Sequence, residues 1–321
     1  MALNLDFSQL TSYTDQLTLP IIRNTVLPST LMDIGIDYQE NVTNTSVVNI
    51  MNSNLVVKAG GGCNSFAGST GSSLYQTNIS VNACLIENED CPDTFKTYWT
   101  KIITKAGSYN EVLPSDYGAV YTAYLLEQTK ARVEDLFFSG ASTGTFSSAL
   151  TSANGVLYNL YVTNAGSYVS ASASYNGPLT VANAINAFYD SRNKMPTNIL
   201  GETDLVWLVS YADFFTLTQA LTAQNYFNQG LYNGGNGERN GGRLMIKNIL
   251  GTNITVYPMR GLNYGSHRIM TNASNLLLGT DLNNDYEKVR VWYSMDFQTV
   301  RTQIKWRQGG IVKFPQNVVL A

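Results

Sequence analysis

Two strand-like runs, SVVNIMNSNLVVK and NISVNACLI, are separated by AGGGCNSFAGSTGSSLYQT, a stretch too glycine-rich to pack and too long for a tight turn. Residues 41–91 contain no proline, so nothing interrupts either run. The pattern predicts a long β-hairpin with a glycine tip, Ile79, Val81, Ala83 and Leu85 alternating onto one face. A two-stranded ribbon is marginal alone in water. Such a hairpin has to lie on something else, and that demand constrains the rest of the chain.

The segments on either side sharpen the demand. Residues 1–40 hold Pro20, Pro28, scattered apolar residues and the acids Asp33, Asp37 and Glu40, with no sustained period. They read as an extended arm that packs on nothing of its own. After the hairpin, Cys91-Pro92 opens a short helical stretch closed by Gly107. The strongest helix follows: Pro114-Ser115 starts it, Tyr117, Val120, Tyr121, Tyr124 and Leu125 form a stripe, Leu136 and Phe137 continue it, and Gly140 stands at a C-cap position.

From 141 to 178 the chain is rich in Ser, Gly and Asn, with strand-like pieces such as VLYNLYVT. Thr180 is placed to cap VANAINAFYDSRNK, with Val181, Ile185, Phe188 and Tyr189 inward and Pro196 as the stop. DLVWLVS reads as a buried strand, and Ser210 with Asp213 as a capping-box-like start to YADFFTLTQALTA. A helix, strand, helix order of this kind marks an α/β lobe. After a second glycine-rich loop, NGGNGERNGG, NITVYPM resumes a strand. Near the end, Val289, Val291, Tyr293 and Met295, then Val300, Thr302, Ile304 and Trp306, alternate with polar residues that include Arg301, Lys305 and Arg307. Gly309-Gly310 is expected to turn the chain into IVKFPQNVVLA.

Composition fits a chain that meets copies of itself. Charged residues make up 13% of the chain, against about 25% in a typical soluble domain. Asn, Ser, Thr, Gly and 20 Tyr take their place. Charge-poor, tyrosine-rich surface is characteristic of interface cores; a secreted β-rich adhesin or carbohydrate-binding protein is the competing reading. Against the latter, MALNLDFSQLTSYTDQ has neither the basic nor the apolar region of a signal peptide. Charge is also uneven. From Arg239 onward eleven basic residues face four acidic ones, while the preceding part carries nine basic and nineteen acidic. Either the two ends pair between copies, or they neutralise each other within one subunit.

His267 is the only histidine, with no second histidine for a zinc pair and no evident nucleophile, so a structural role is expected. Neither glycine-rich loop has the frame of a phosphate or dinucleotide site. Glu87, Glu89 and Asp90 read as a solvated acidic turn, and a glycosidase pair is the alternative. Cys63, Cys84 and Cys91 lack metal spacing and read as free thiols; a Cys84–Cys91 disulfide is the alternative. No catalytic residue, metal or cofactor is expected.

The order of arm, glycine-tipped hairpin, long helix, α/β lobe and basic antiparallel pair resembles the capsid protein shared by tailed phages and herpesviruses, the HK-ninety-seven-type fold. GAVYTAYLLEQTKARVEDLFFSG looks like the spine helix of that family, DLVWLVSYADFFTLTQAL like its axial strand and helix, and YSMDFQTVRTQIKWRQGGIVKFPQNVVLA like its closing peripheral strands. The resemblance implies an α+β fold with an arm at 1–40, an extended loop at 41–91, a peripheral domain at 92–145 and 270–312, and an axial domain at 146–269, with 313–321 as a possible addition.

It further implies a non-catalytic major capsid protein of the virion, assembled in the host cytoplasm. Pentamers and hexamers would close around double-stranded DNA, which is touched non-specifically, with a separate scaffold protein, a portal and decoration proteins as partners. An encapsulin-like compartment of the same fold is the alternative. Some members crosslink a hairpin lysine to a neighbour; Lys58 is placed for that, or for an ordinary contact on an edge strand. Asp33, Asp37, Glu40, Lys58, Arg301, Lys305 and Arg307 are the candidate inter-subunit contacts.

Overall fold

The computed structural model describes residues 29–53, 72–91, 115–224, 245–281, 290–294, 296–297 and 299–321. The stretch read as helical at 92–107, both glycine-rich loop centres and Lys58 lie outside the described residues.

One sheet is organised by its longest strand, β11 (Thr299–Val312). Along one edge β11 pairs antiparallel with β4 (Asn82–Asp90), from Val300↔Asp90 to Gln308↔Asn82. It also pairs with β10 (Arg290–Ser294) and, through its second half, with β9 (Leu276–Thr280). The short β1 (Asp37–Gln39) adds parallel to β9. Beside this sheet runs α2 (Ser115–Ser139), whose 25 residues span about 37 Å at 1.5 Å per residue. Val133 and Leu136 from the helix pack with Cys84, Ile304 and Trp306 from the sheet.

A second sheet has the order β5 (Val169–Ser170), β12 (Val319–Leu320), β8 (Ile269–Asn272), β6 (Leu205–Val209), β7 (Thr255–Pro258). β6 is buried at every position because both its faces are covered. Leu205, Trp207 and Val209 face a core built with α4 (Ala184–Lys194) and α5 (Tyr211–Ala223). Val206 and Leu208 face a second core shared with Phe137 and Phe138 of α2. That shared core ties the two lobes together.

Several expectations change. Residues 29–40 do pack on their own chain: Leu31 and Ile34 of α1 (Ser29–Ile34), and Ile36 beyond it, join the shared core. VLYNLYVT is helical, a short α3 (Val156–Tyr158) running into a π-turn at Asn159–Thr163. Its four apolar residues had suggested a strand, but Val156, Leu157 and Leu160 at helical spacing reach the core while Val162 is exposed. α4 starts at Ala184 rather than at Thr180, and Val181 and Tyr189 face solvent while Ile185 and Phe188 face in.

Gly309 and Gly310 make no turn; β11 runs straight through them. A Cβ on Gly309 would lie 2.0 Å from the Ser80 carbonyl oxygen, and one on Gly310 would lie 3.1 Å from the Phe137 ring. Glycine is needed there for close approach, not for turning. Gly140 likewise follows α2 where its Cβ would sit 2.4 Å from the Leu136 carbonyl oxygen.

Candidate interaction surface

The hairpin exists, but its second strand starts and ends earlier than its sequence suggests. β2 (Thr45–Ser53) pairs antiparallel with β3 (Ser72–Ser80), so Ser72–Thr77 belong to a strand rather than to the tip. Val81 interrupts NISVNACLI: its amide donates to the Asn44 carbonyl, and the chain re-enters a different sheet as β4. The break shifts the facing by one residue. Ile79 and Val81 point inward, but beyond them Cys84 is buried while Ala83 and Leu85 are exposed.

The ribbon is anchored at its base, where Val42, Ile79 and Val81 pack with Leu277 and Ile311. Neither strand contains a charged residue. Along one face Thr45 meets Ser80, Asn49 accepts a 2.9 Å hydrogen bond from Gln76, and Met51 stands opposite Leu74. Met51 and Leu74 are 70% and 67% exposed. No described residue of the chain covers this apolar pair.

The outer face of β4 and β11 carries a ladder of polar pairs. Arg301 donates to Glu89 from Nε and Nη2, at 3.2 and 3.1 Å, and its guanidinium sits 4.5 Å from the Phe297 ring centre. The Thr299 hydroxyl donates to the same carboxylate at 2.7 Å, and Gln303 donates to Glu87 at 2.7 Å. The Thr299 hydrogen bond, followed by Arg301, holds the Glu89 carboxyl below its ordinary pKa. Glu87, Glu89 and Asp90 therefore lie on a strand and not on a turn; β11 engages Glu87 and Glu89, while Asp90 accepts from Asn88 of its own strand. Further along, Lys305 faces exposed Leu85 and has no ion-pair partner among the described residues.

The remaining candidate contacts are distributed as follows. Asp37 pairs with Lys313, whose ammonium also donates to the Ser274 carbonyl at 2.9 Å. Arg307 lies 3.5 Å from buried Asp281 and donates to the Thr43 carbonyl. Arg301 thus finds Glu89 within its own chain. Asp33 is exposed and Glu40 half-buried. Pairs such as Asp37–Lys313, Glu89–Arg301, Asp135–Arg260 and Asp213–Arg268 join the acidic part of the chain to the basic part within one subunit. Much of the charge asymmetry is neutralised that way.

His267 sits among rings. Its Nδ1 is 3.2 Å from the Tyr161 hydroxyl, and Phe146 and Tyr161 pack edge-on at 5.6 and 5.4 Å. Burial first, then the neighbouring Arg268 charge, pushes its pKa down. Cys84 and Cys91 are free thiols, so the alternative disulfide is not formed. Among the described residues no group of His, Cys, Asp and Glu could hold a metal ion, and no helix is long and apolar enough to cross a membrane.

Two features escaped the sequence reading. The exposed Met51–Leu74 pair was hidden because Leu74 was assigned to the loop; a β3 beginning at Ser72 would have revealed it. Arg268 was counted only as one basic residue among many, and no local pattern marks it as buried.

No known protein-family model matches the chain, and no curated protein matches it in sequence. Its fold does match solved structures. The chain is similar to one in the satellite phage P4 procapsid including size determination (Sid) protein, with a TM-score of 0.56 and 10% identity. That match covers 92% of this chain and 96% of the other. It is also similar to one in the capsid of Ralstonia phage GP4, with a TM-score of 0.52 and 9% identity, covering 89% and 86%. These likenesses give an α+β fold, not the β-rich one that the competing reading required. Over most of its length the chain has an α+β fold of the HK-ninety-seven type, the fold of these phage capsid structures.

Proposed function

We propose that this chain is a structural shell subunit that assembles with its own copies, as pentamers and hexamers, into an icosahedral capsid enclosing double-stranded DNA. Its work is packing, not catalysis. The carrying observation is the uncharged ribbon ending in the exposed Met51–Leu74 pair, on a fold that matches capsid subunits over nearly its whole length. An exposed cross-strand apolar pair on a narrow ribbon gains by being covered, and in a shell the cover is a sister subunit. The subunit would be a virion component, assembled in the host cytoplasm with a separate scaffold, a portal and decoration proteins.

In this reading residues 1–40 form the arm, with Leu31, Ile34 and Ile36 at its end anchored in the subunit's own core, 41–91 the extended loop, 92–145 with 270–312 the peripheral domain, and 146–269 the axial domain, to which β12 within 313–321 adds a strand. The Asp33 carboxylate and the Lys305 ammonium are the candidate charges without an in-chain ion pair among the described residues, and they are assigned to contacts between subunits. The experiment is a double substitution, Met51→Asp with Leu74→Asp. Loss of particles with unchanged thermal unfolding of the subunit supports the reading; normal shells from the variant overturn the role given to the ribbon.

A further inference from the structure

Two Asn-Gly pairs among the described residues are held very differently, and the difference has a chemical consequence. At Asn154-Gly155 the glycine amide donates to the Gly140 carbonyl at 2.8 Å, and the asparagine side chain accepts from the Ser142 amide at 2.8 Å. A Cβ on Gly155 would lie 2.5 Å from the Phe137 carbonyl oxygen, so the backbone there is closely packed on its neighbours. At Asn176-Gly177 both residues are exposed, and a Cβ on Gly177 would meet nothing within 4 Å. Neither the Asn176 side-chain amide nor the Gly177 amide has a hydrogen-bond partner among the described residues.

We propose that Asn176 is a site of spontaneous deamidation, restrained by Arg268. In the reaction the Gly177 backbone nitrogen attacks Asn176 Cγ, forming a C–N bond. That nitrogen loses its proton, and the side-chain nitrogen leaves as ammonia. Water then opens the cyclic imide at one carbonyl or the other, giving aspartate or isoaspartate. Either product places a negative charge on the axial lobe of a charge-poor chain, and isoaspartate lengthens the backbone by one methylene. Glycine favours the step because no side chain shields its nitrogen.

The restraint is geometric. Asn176 follows the 3₁₀ turn Ala173–Tyr175 with φ −81° and ψ 5°. Ring closure needs rotation about ψ, which swings the Gly177 peptide plane. Buried Arg268 resists this: Nη2 donates to the Tyr175 carbonyl and Nη1 to the Gly177 carbonyl at 3.0 Å, clamping both sides of Asn176. Asp213 fixes the same guanidinium at 3.0 Å.

The test is peptide mapping by mass spectrometry, with isoaspartate-specific methylation, on the full-length chain held in mildly alkaline buffer. The expected result is amide loss at Asn176 and none at Asn154. Loss at Asn176 is severalfold faster in urea-unfolded chain, and Gly177→Ala suppresses it in the folded chain. Arg268→Lys, which cannot bridge both carbonyls, accelerates it; should that variant not fold, the folded and unfolded comparison carries the same information. Asn176 remaining intact in folded chain while the unfolded chain reacts to completion overturns the site, and equal folded and unfolded rates overturn the restraint.

Discussion

Asp213 and Arg268 form an ion pair at 3.0 Å with side chains only 5% and 0% exposed, and that pair joins the start of one helix to the second sheet. Asp213 is set in place locally: its amide donates to the Ser210 hydroxyl at 3.1 Å, the N-cap bond that opens α5. Its second carboxylate oxygen accepts from the Leu179 amide at 3.1 Å. Removing one partner strands a buried charge, so Asp213→Ala should cost about 3–5 kcal/mol. Urea unfolding checks this, and replacing both residues by apolar ones of similar volume should be far less damaging.

Gly309→Ala tests the crowding at the ribbon base. With the Ser80 carbonyl 2.0 Å from the new methyl group, the end of β3 and β11 have to shift apart, at about 1–3 kcal/mol. Gly201→Ala is the control, because nothing lies within 4 Å of its Cβ position; it should stay within about 0.5 kcal/mol of the parent. Thermal unfolding of the two variants separates close approach from a general intolerance of substitution.

The Glu89 ladder predicts a specific pH dependence. Its folded-state pKa is lowered, by the Thr299 hydroxyl and then by Arg301. Its contribution is therefore present above the ordinary glutamate value and is lost as pH falls through the lowered one. Urea midpoints between about pH 6 and about pH 3 should fall less steeply for Glu89→Gln than for the parent. Solvent exposure keeps the difference small.

How much of this was legible in advance depended on range in sequence. LVWLV announced a strand buried on both faces, and Ser210 with Asp213 announced a helix start, because both signals are local. Alternation at Val300, Thr302, Ile304 and Trp306 correctly gave the inward face of β11, with Thr302, Ile304 and Trp306 buried and Val300 partly so. What failed was decided by distant partners. Gly309 looks like a turn until Ser80 is known to lie beside it. Leu31, Ile34 and Ile36 look like arm residues until a core arrives to receive them.

Lys305 and Asp33 are assigned to contacts between subunits, and a charge exchange tests the assignment. Lys305→Glu should reduce particle yield while leaving subunit stability within about 0.5 kcal/mol, as for other surface changes. Adding Asp33→Lys should restore yield if the two meet across an interface. Particle yield measured by sedimentation of clarified extracts distinguishes these outcomes.

The most direct measurement is electron microscopy of particles from cells producing the full-length chain together with the proposed scaffold protein. Closed shells of uniform diameter, built from five- and six-membered rings of this subunit, are the predicted result. A sample that remains a 35.3 kDa monomer at every concentration, its ribbon exposed and its Met51–Leu74 pair still uncovered, contradicts the account.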